Sequence, residues 1–178
     1  ATIAFGGVSS PPYSTNASEQ YNGTSWTATP NLNTAGQGTF GFGTTSAAIA
    51  ATRYSGPPNS VPNTPTATES WNGSTWTTTP ATTTTGRRFG GSAGTATDAI
   101  IYGGGQVTTL QTVTEGYDGS AWSTRPSMAT ARFQFPGNGS STAAFATGGA
   151  NPPSGQKADV EEFTGETETV TASTLTTS

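Results

Sequence analysis

The sequence predicts an all-β fold built from four copies of one short-stranded unit. A turn flanked by aromatic rings recurs at Tyr21-Asn22-Gly23-Thr24-Ser25-Trp26, Trp71-Asn72-Gly73-Ser74-Thr75-Trp76 and Tyr117-Asp118-Gly119-Ser120-Ala121-Trp122, with a degenerate fourth copy at Phe163-Thr164-Gly165. Its glycines, Gly23, Gly73, Gly119 and Gly165, follow one another at intervals of 50, 46 and 46 residues, a period that marks a repeat architecture. An apolar stretch ending in glycine precedes each turn, and no segment carries the 3.6-residue apolar period of an amphipathic helix.

Each unit reads as four strands. The first carries Arg-Phe, as in residues 86–93 and 130–137, although the copy near Gly36-Gln37 lacks the arginine. The second ends in glycine, as in 98–102 and 142–147; in the second copy the corresponding stretch reads Arg53-Tyr54-Ser55-Gly56. The third, as in 66–71 and 111–117, leads into the aromatic turn, and the fourth, as in 75–79 and 121–125, carries the tryptophan. Asn-Gly and Asp-Gly favour positive φ, so the third and fourth strands should form a tight hairpin with both rings on one face. Abundant threonine suits strands, where a β-branched side chain packs well on a pleated surface. Trp26, Trp76 and Trp122 hold one repeat position and are expected to pack between units. Glu19, Glu69, Glu115 and Glu162 recur before the turn and are expected to accept hydrogen bonds from a neighbouring unit. The proline-rich stretches fall between second and third strands and read as loops on one face. The repeats run approximately over 1–34, 35–80, 81–126 and 127–178 of a single domain.

Composition narrows the function. The 178 residues suit one domain; 9% are charged, 30% hydrophobic, and the net charge is −4. The acidic balance argues against nucleic acid as the partner. No apolar run is long enough to span a membrane. Cysteine and histidine are absent, which removes disulfides, thiolate ligands and the usual base of a nucleophilic triad. A surface of Thr, Ser, Asn and Gly with one lysine, Lys157, fits a virion or extracellular location. The start at Ala1 suggests a processed chain or a piece of a longer one.

The stretch from Pro126 to Val170 contains Met128-Ala129-Thr130-Ala131-Arg132, then Ala146-Thr147-Gly148-Gly149, then Val160-Glu161-Glu162-Phe163. This order of Arg, Gly-Gly, aromatic and Trp over about 46 residues resembles the kelch repeat, and the resemblance covers nearly the whole chain. It implies four-stranded blades around an axis, a β-propeller of about four blades. The aromatic pair is closer together than is usual in kelch units, and Glu168 stands where the last tryptophan belongs. The Asn/Asp-Gly-x-x-Trp core is also similar to the aspartic box of sialidase propellers, which has a further residue between Asp and Gly. Read in phase, the chain opens at a second strand, so one first strand is missing. The ring is then closed by the tail at 173–178, belongs to a larger ring, or is completed by another chain.

No catalytic constellation emerges. A Ser-Lys pair would require Lys157, which lies in a polar loop. The acids Glu161, Glu162, Glu166 and Glu168 read as a solvated hairpin face, without the ligand spacing of a calcium site. The glycines at 103–105 are the repeat glycines, and no helix follows them as a phosphate loop requires. Candidate ligand contacts are the aromatics and the arginine that break the repeat: Tyr13, Phe42, Arg53 and Tyr54. The sequence thus predicts a module without catalytic residues, metal or cofactor. It is expected to be a structural or adhesive propeller of a phage tail or fibre, or of another extracellular surface. The loops at 8–17, 55–66 and 150–158 would meet glycans or proteins, and the partners would be other copies, other virion or surface proteins, or cell-surface glycans. A fragment of a sialidase- or glycosidase-type propeller enzyme, and a kelch-type protein–protein adaptor, are the alternatives.

Overall fold

The computed structural model describes residues 1–11, 13–55, 65–105, 109–152, 155–165 and 171–173. They form four separate antiparallel sheets, each a blade whose strands pair in chain order. Blade 1 holds β1 (Thr2–Phe5), β2 (Ser18–Tyr21) and β3 (Trp26–Thr29). Blade 2 holds β4 (Phe40–Gly43), β5 (Ala48–Ala51), β6 (Ala67–Trp71) and β7 (Trp76–Thr82). Blade 3 holds β8 (Gly91–Thr95), β9 (Asp98–Tyr102), β10 (Thr114–Tyr117) and β11 (Trp122–Arg125). Blade 4 holds β12 (Gly137–Gly139), β13 (Ala144–Thr147), β14 (Val160–Phe163) and β15 (Thr171–Ser173). No helix occurs among the described residues. The first strands β4, β8 and β12 lie side by side, which places them innermost. Among the described residues blade 1 has no such strand, so β1 is its inner edge there and pairs with β2. A groove of about 410 Å³ opens beside it, lined by Thr2, Ile3 and Phe5 across from Thr39 and Phe42.

Two kinds of turn set the register. In the third-to-fourth-strand hairpins an Asx side chain caps the turn: Asn22 Oδ1 accepts from Thr24 and Ser25 N–H, Asn72 Oδ1 from Ser74 and Thr75, and Asp118 Oδ1 from Ser120 and Ala121. The following glycines Gly23, Gly73 and Gly119 sit at φ of 109°, 93° and 94°, a region costly for any other residue. Gly165 holds φ 69° at the fourth turn. In the first-to-second-strand hairpins a hydroxyl does the same work. Thr44, Thr95 and Ser140 each accept two N–H groups from the residues two and three positions later.

The first strands start later than the sequence suggested. Phe89 and Gln134 take positive φ of 58° and 54°, matching Gly38 at 64°. This left-handed kink cannot continue a strand, so Arg87-Arg88-Phe89 and Arg132-Phe133 lie in the approach, and pairing begins at Gly91 and Gly137.

Strand alternation gives each blade a backward face, toward the preceding blade, and a forward face, toward the next. Three apolar seams result. Between blades 1 and 2, Ile3 and Phe5 pack against Ala48, Ala50, Trp71 and Trp76. Between blades 2 and 3, Phe42, Ile49 and Ala51 meet Ala99, Ile101, Tyr117 and Trp122. Between blades 3 and 4, Ile100 and Tyr102 meet Ala144, Ala146 and Phe163. Burying each isoleucine contributes about 1.5–3 kcal/mol. Trp76 meets Phe5 edge-on at 4.8 Å between centroids and donates its indole N–H to Ser18 Oγ. Trp122 repeats the arrangement one seam on, edge-on to Phe42 at 6.2 Å and bonded to Thr68 Oγ1.

Trp26 departs from the expected inter-blade packing. It lies on the backward face of blade 1, where no preceding blade covers it, and half of its surface is exposed. Tyr21 is its only aromatic neighbour among the described residues, at 5.3 Å.

Candidate functional site

The strongest polar constellation is a buried arginine–glutamate pair that recurs in blades 2, 3 and 4. Each glutamate lies on the backward face of the third strand. Arg53 Nη1 donates to Glu69 Oε1 at 2.6 Å, Arg87 Nη1 to Glu115 Oε2, and Arg132 Nη2 to Glu161 Oε1 at 2.6 Å. Both partners in each pair are buried almost completely. The carboxylates also accept backbone N–H groups from the linker that enters the blade. Glu69 takes those of Asn33 and Thr34, Glu161 those of Ala129 and Thr130, and Glu115 takes the N–H and hydroxyl of Thr84. Each glutamate therefore fastens a linker to a blade, a role that desolvated charge can fill only because every oxygen is occupied. Burial pushes the Arg87 guanidinium below its ordinary value, and the hydrogen bond and charge of Glu115 oppose that shift.

The recurrence corrects two alignments. In blade 4 the repeat position belongs to Glu161, not Glu162: Glu161 pairs across to Ala146 as Glu69 pairs to Ala50, and Glu162 points to the exposed forward face. In blade 2 the second strand is β5, and the stretch Arg53-Tyr54-Ser55-Gly56 follows it. The bridges Gln37 to Tyr54, Arg88 to Gly105 and Phe133 to Ala150 fix the equivalence. Arg53 thus stands where the other blades have Gly104 and Gly149, and Gly36 stands where they have Arg87 and Arg132. The two positions have exchanged residues. A Cβ on Gly36 would fall 2.5 Å from the Arg53 side chain, so the missing side chain makes room for the arginine arriving from the other direction.

The second-to-third-strand loops and the linkers between blades share one end of the molecule, because strands alternate in direction within each blade. That end carries Tyr13, Arg53 and Tyr54 of the expected contact residues, whereas Phe42 lies near the opposite end, beside the first-to-second-strand turn, and the structure separates all four. Tyr13 is on the surface at φ 71°, its carbonyl accepting from Gln37 Nε2 at 3.3 Å. Arg53 is buried in the pair with Glu69. Tyr54 is fully buried with the Arg88 guanidinium 3.9 Å above its ring. Phe42 lies in the seam between blades 2 and 3. These three side chains are packing elements and not surface groups, because breaking the repeat in sequence did not mean leaving the core. Tyr13 and Val8 are the exposed large apolar side chains of the first loop. Residues 56–64 of the second loop and 153–154 of the third lie outside the described residues, as do Glu166, Glu168 and the tail at 174–178.

Gly103 and Gly104 keep their repeat role: at φ 61° and 82° they turn the chain out of β9, and a Cβ on Gly104 would strike the Arg88 carbonyl at 2.5 Å. No cluster of three acidic residues placed to hold a metal occurs among the described residues. Comparison with known protein families and with curated proteins gives no match to the chain.

Proposed function

We propose that this chain is a non-enzymatic structural or adhesive module of kelch-like β-propeller type, carried on a virion such as a phage tail or fibre, or on another extracellular surface. The observation that carries the reading is the use of the repeat glutamates. Glu69, Glu115 and Glu161 are each buried against an arginine and linker donors, as scaffold and not as acids facing solvent. The blades then present one end of loops, with Tyr13 and Val8 exposed on the first, to a glycan or protein. The partners are cell-surface glycans and other surface or virion proteins. The kelch assignment rests on the arginine that reaches the third-strand glutamate and on the paired glycines closing the second strand of blades 3 and 4.

A glycan array probed with the 178-residue chain, alongside hydrolysis assays on the glycans it retains, tests this function. Binding that Tyr13→Ala weakens at least tenfold, with no turnover, is the expected result. Turnover of any bound glycan would favour the glycosidase alternative, and retention of a protein partner without glycan binding the adaptor alternative.

A further inference from the structure

We infer that the two outermost faces of the blade array are the two halves of one interface, and that the forward face of blade 4 docks on the backward face of blade 1 of a second copy of this chain. The inference stands independently of the adhesive reading. The internal seams define what such an interface contains. A backward face offers a glutamate and two rings: Glu69, Trp71 and Trp76 in blade 2, or Glu115, Tyr117 and Trp122 in blade 3. A forward face offers a large apolar residue in the second strand, Ile49 in blade 2 and Ile100 in blade 3, each at most 2% exposed.

Blade 1 presents the first set without a cover. Glu19 is exposed, Tyr21 half-buried, and Trp26 is 50% exposed, whereas Trp76 at the equivalent position is 5% exposed. Blade 4 presents the second set. Phe145 occupies the position of Ile49 and Ile100, yet it is 40% exposed. A concavity of about 350 Å³ lies beside it, lined by Ala143, Phe145, Glu162, Phe163 and Thr164, and offers a recess for an aromatic side chain. A phenylalanine where blades 2 and 3 carry a buried isoleucine, facing solvent on one end, and a tryptophan facing solvent on the other, are complementary halves of the seam that this chain already makes three times.

The contact is head-to-tail, so it must close or propagate. Two copies close it, using the same interface twice, and their eight blades fall at the upper end of the four to eight found in closed propellers. Light scattering and sedimentation of the 178-residue chain at roughly 100 µM, where micromolar association is nearly complete, should give twice the monomer mass. Phe145→Asp and Trp26→Asp should each give the monomer mass, and an equimolar mixture of the two should regain the doubled mass, because one intact half comes from each partner. Phe145→Thr and Trp26→Thr replace them if aspartate lowers the unfolding temperature. A monomeric parent chain, association that survives either substitution, or a mixture that stays monomeric would overturn the inference.

Discussion

Blades 2 and 3 hold the same buried charge pair by opposite routes. In blade 3 the guanidinium of Arg87 arrives from the linker before the first strand and also donates through Nε to the carbonyl of Gly103. In blade 2 the guanidinium of Arg53 arrives from the end of the second strand, crosses the bare backbone of Gly36, and donates to the linker carbonyl of Thr34 as well as to Glu69. The carboxylate position is constant and the cation's origin is not. What the blade requires is a positive, multiply donating group at one point in space, between a linker and the third strand. Two backbone positions reach that point, and whichever does not carry the arginine carries glycine. Thr52 pays the local cost in blade 2, taking φ 38° where blades 3 and 4 place Gly103 and Gly148, while its hydroxyl bonds the backbone of Arg87 on both sides.

The largest effect should come from breaking a pair. Arg87→Met leaves Glu115 buried without its cation and is expected to lower unfolding stability by about 3–5 kcal/mol, read from urea titrations. Arg53→Gly should do the same to blade 2. The exchange itself is tested by Gly36→Arg: alone it collides with Arg53 and destabilises, but combined with Arg53→Gly it should restore more than half of the lost stability. Failure of the double variant to improve on Arg53→Gly would mean that the two routes are not equivalent.

Seam aromatics come next. Trp76→Ala should cost about 3–5 kcal/mol, whereas Trp26→Ala, measured at concentrations too low for copies to associate, should cost less than about 1 kcal/mol. Equal losses would mean that Trp26 is covered within one chain.

A smaller, pH-dependent effect belongs to the seam between blades 3 and 4. Burial pushes the Tyr102 hydroxyl up to about 12, opposed by the hydrogen bond from Asn138. The folded state therefore holds its proton more tightly than the unfolded chain, whose tyrosine titrates near 10. Stability should be constant in this respect below pH 10 and fall by up to about 1.4 kcal/mol per pH unit between pH 10 and 12. Tyr102→Phe, which also loses the bond to the Phe145 carbonyl, should flatten that slope in alkaline unfolding curves. The smallest effect is expected at Glu19, the one repeat glutamate left in solvent: Glu19→Gln should change stability by less than about 0.5 kcal/mol, against several for Glu115→Gln.

Much of the fold was legible because it is local. Asn-Gly and Asp-Gly report their turns directly, since only a short polar cap followed by glycine fits that backbone, and the 46-residue period reports the number of units. Three of the four ligand candidates, Phe42, Arg53 and Tyr54, lie in the core, and for the last two the reason is definite. Arg53 and Tyr54 look irregular because the arginine sits on the other side of the repeat alignment, and a residue that breaks a repeat in sequence can still serve the core. The signal that could have located them was the pairing of two departures, glycine where arginine is expected and arginine where glycine is expected. Glu161 was missed beside Glu162 because adjacent glutamates differ only in the face to which the pleat turns them.

The sequence alone determined the strand count per unit, the hairpin turns and the recurrence of glutamate and rings, because each is encoded within a few residues by backbone conformational preference. Only the tertiary structure decided which of those groups are covered. Burial of Trp76 and exposure of Trp26, which end the same aromatic-Asn-Gly-x-x-Trp turn, depend on whether another blade stands in front of them, and that is a property of position in the array, not of the residues themselves.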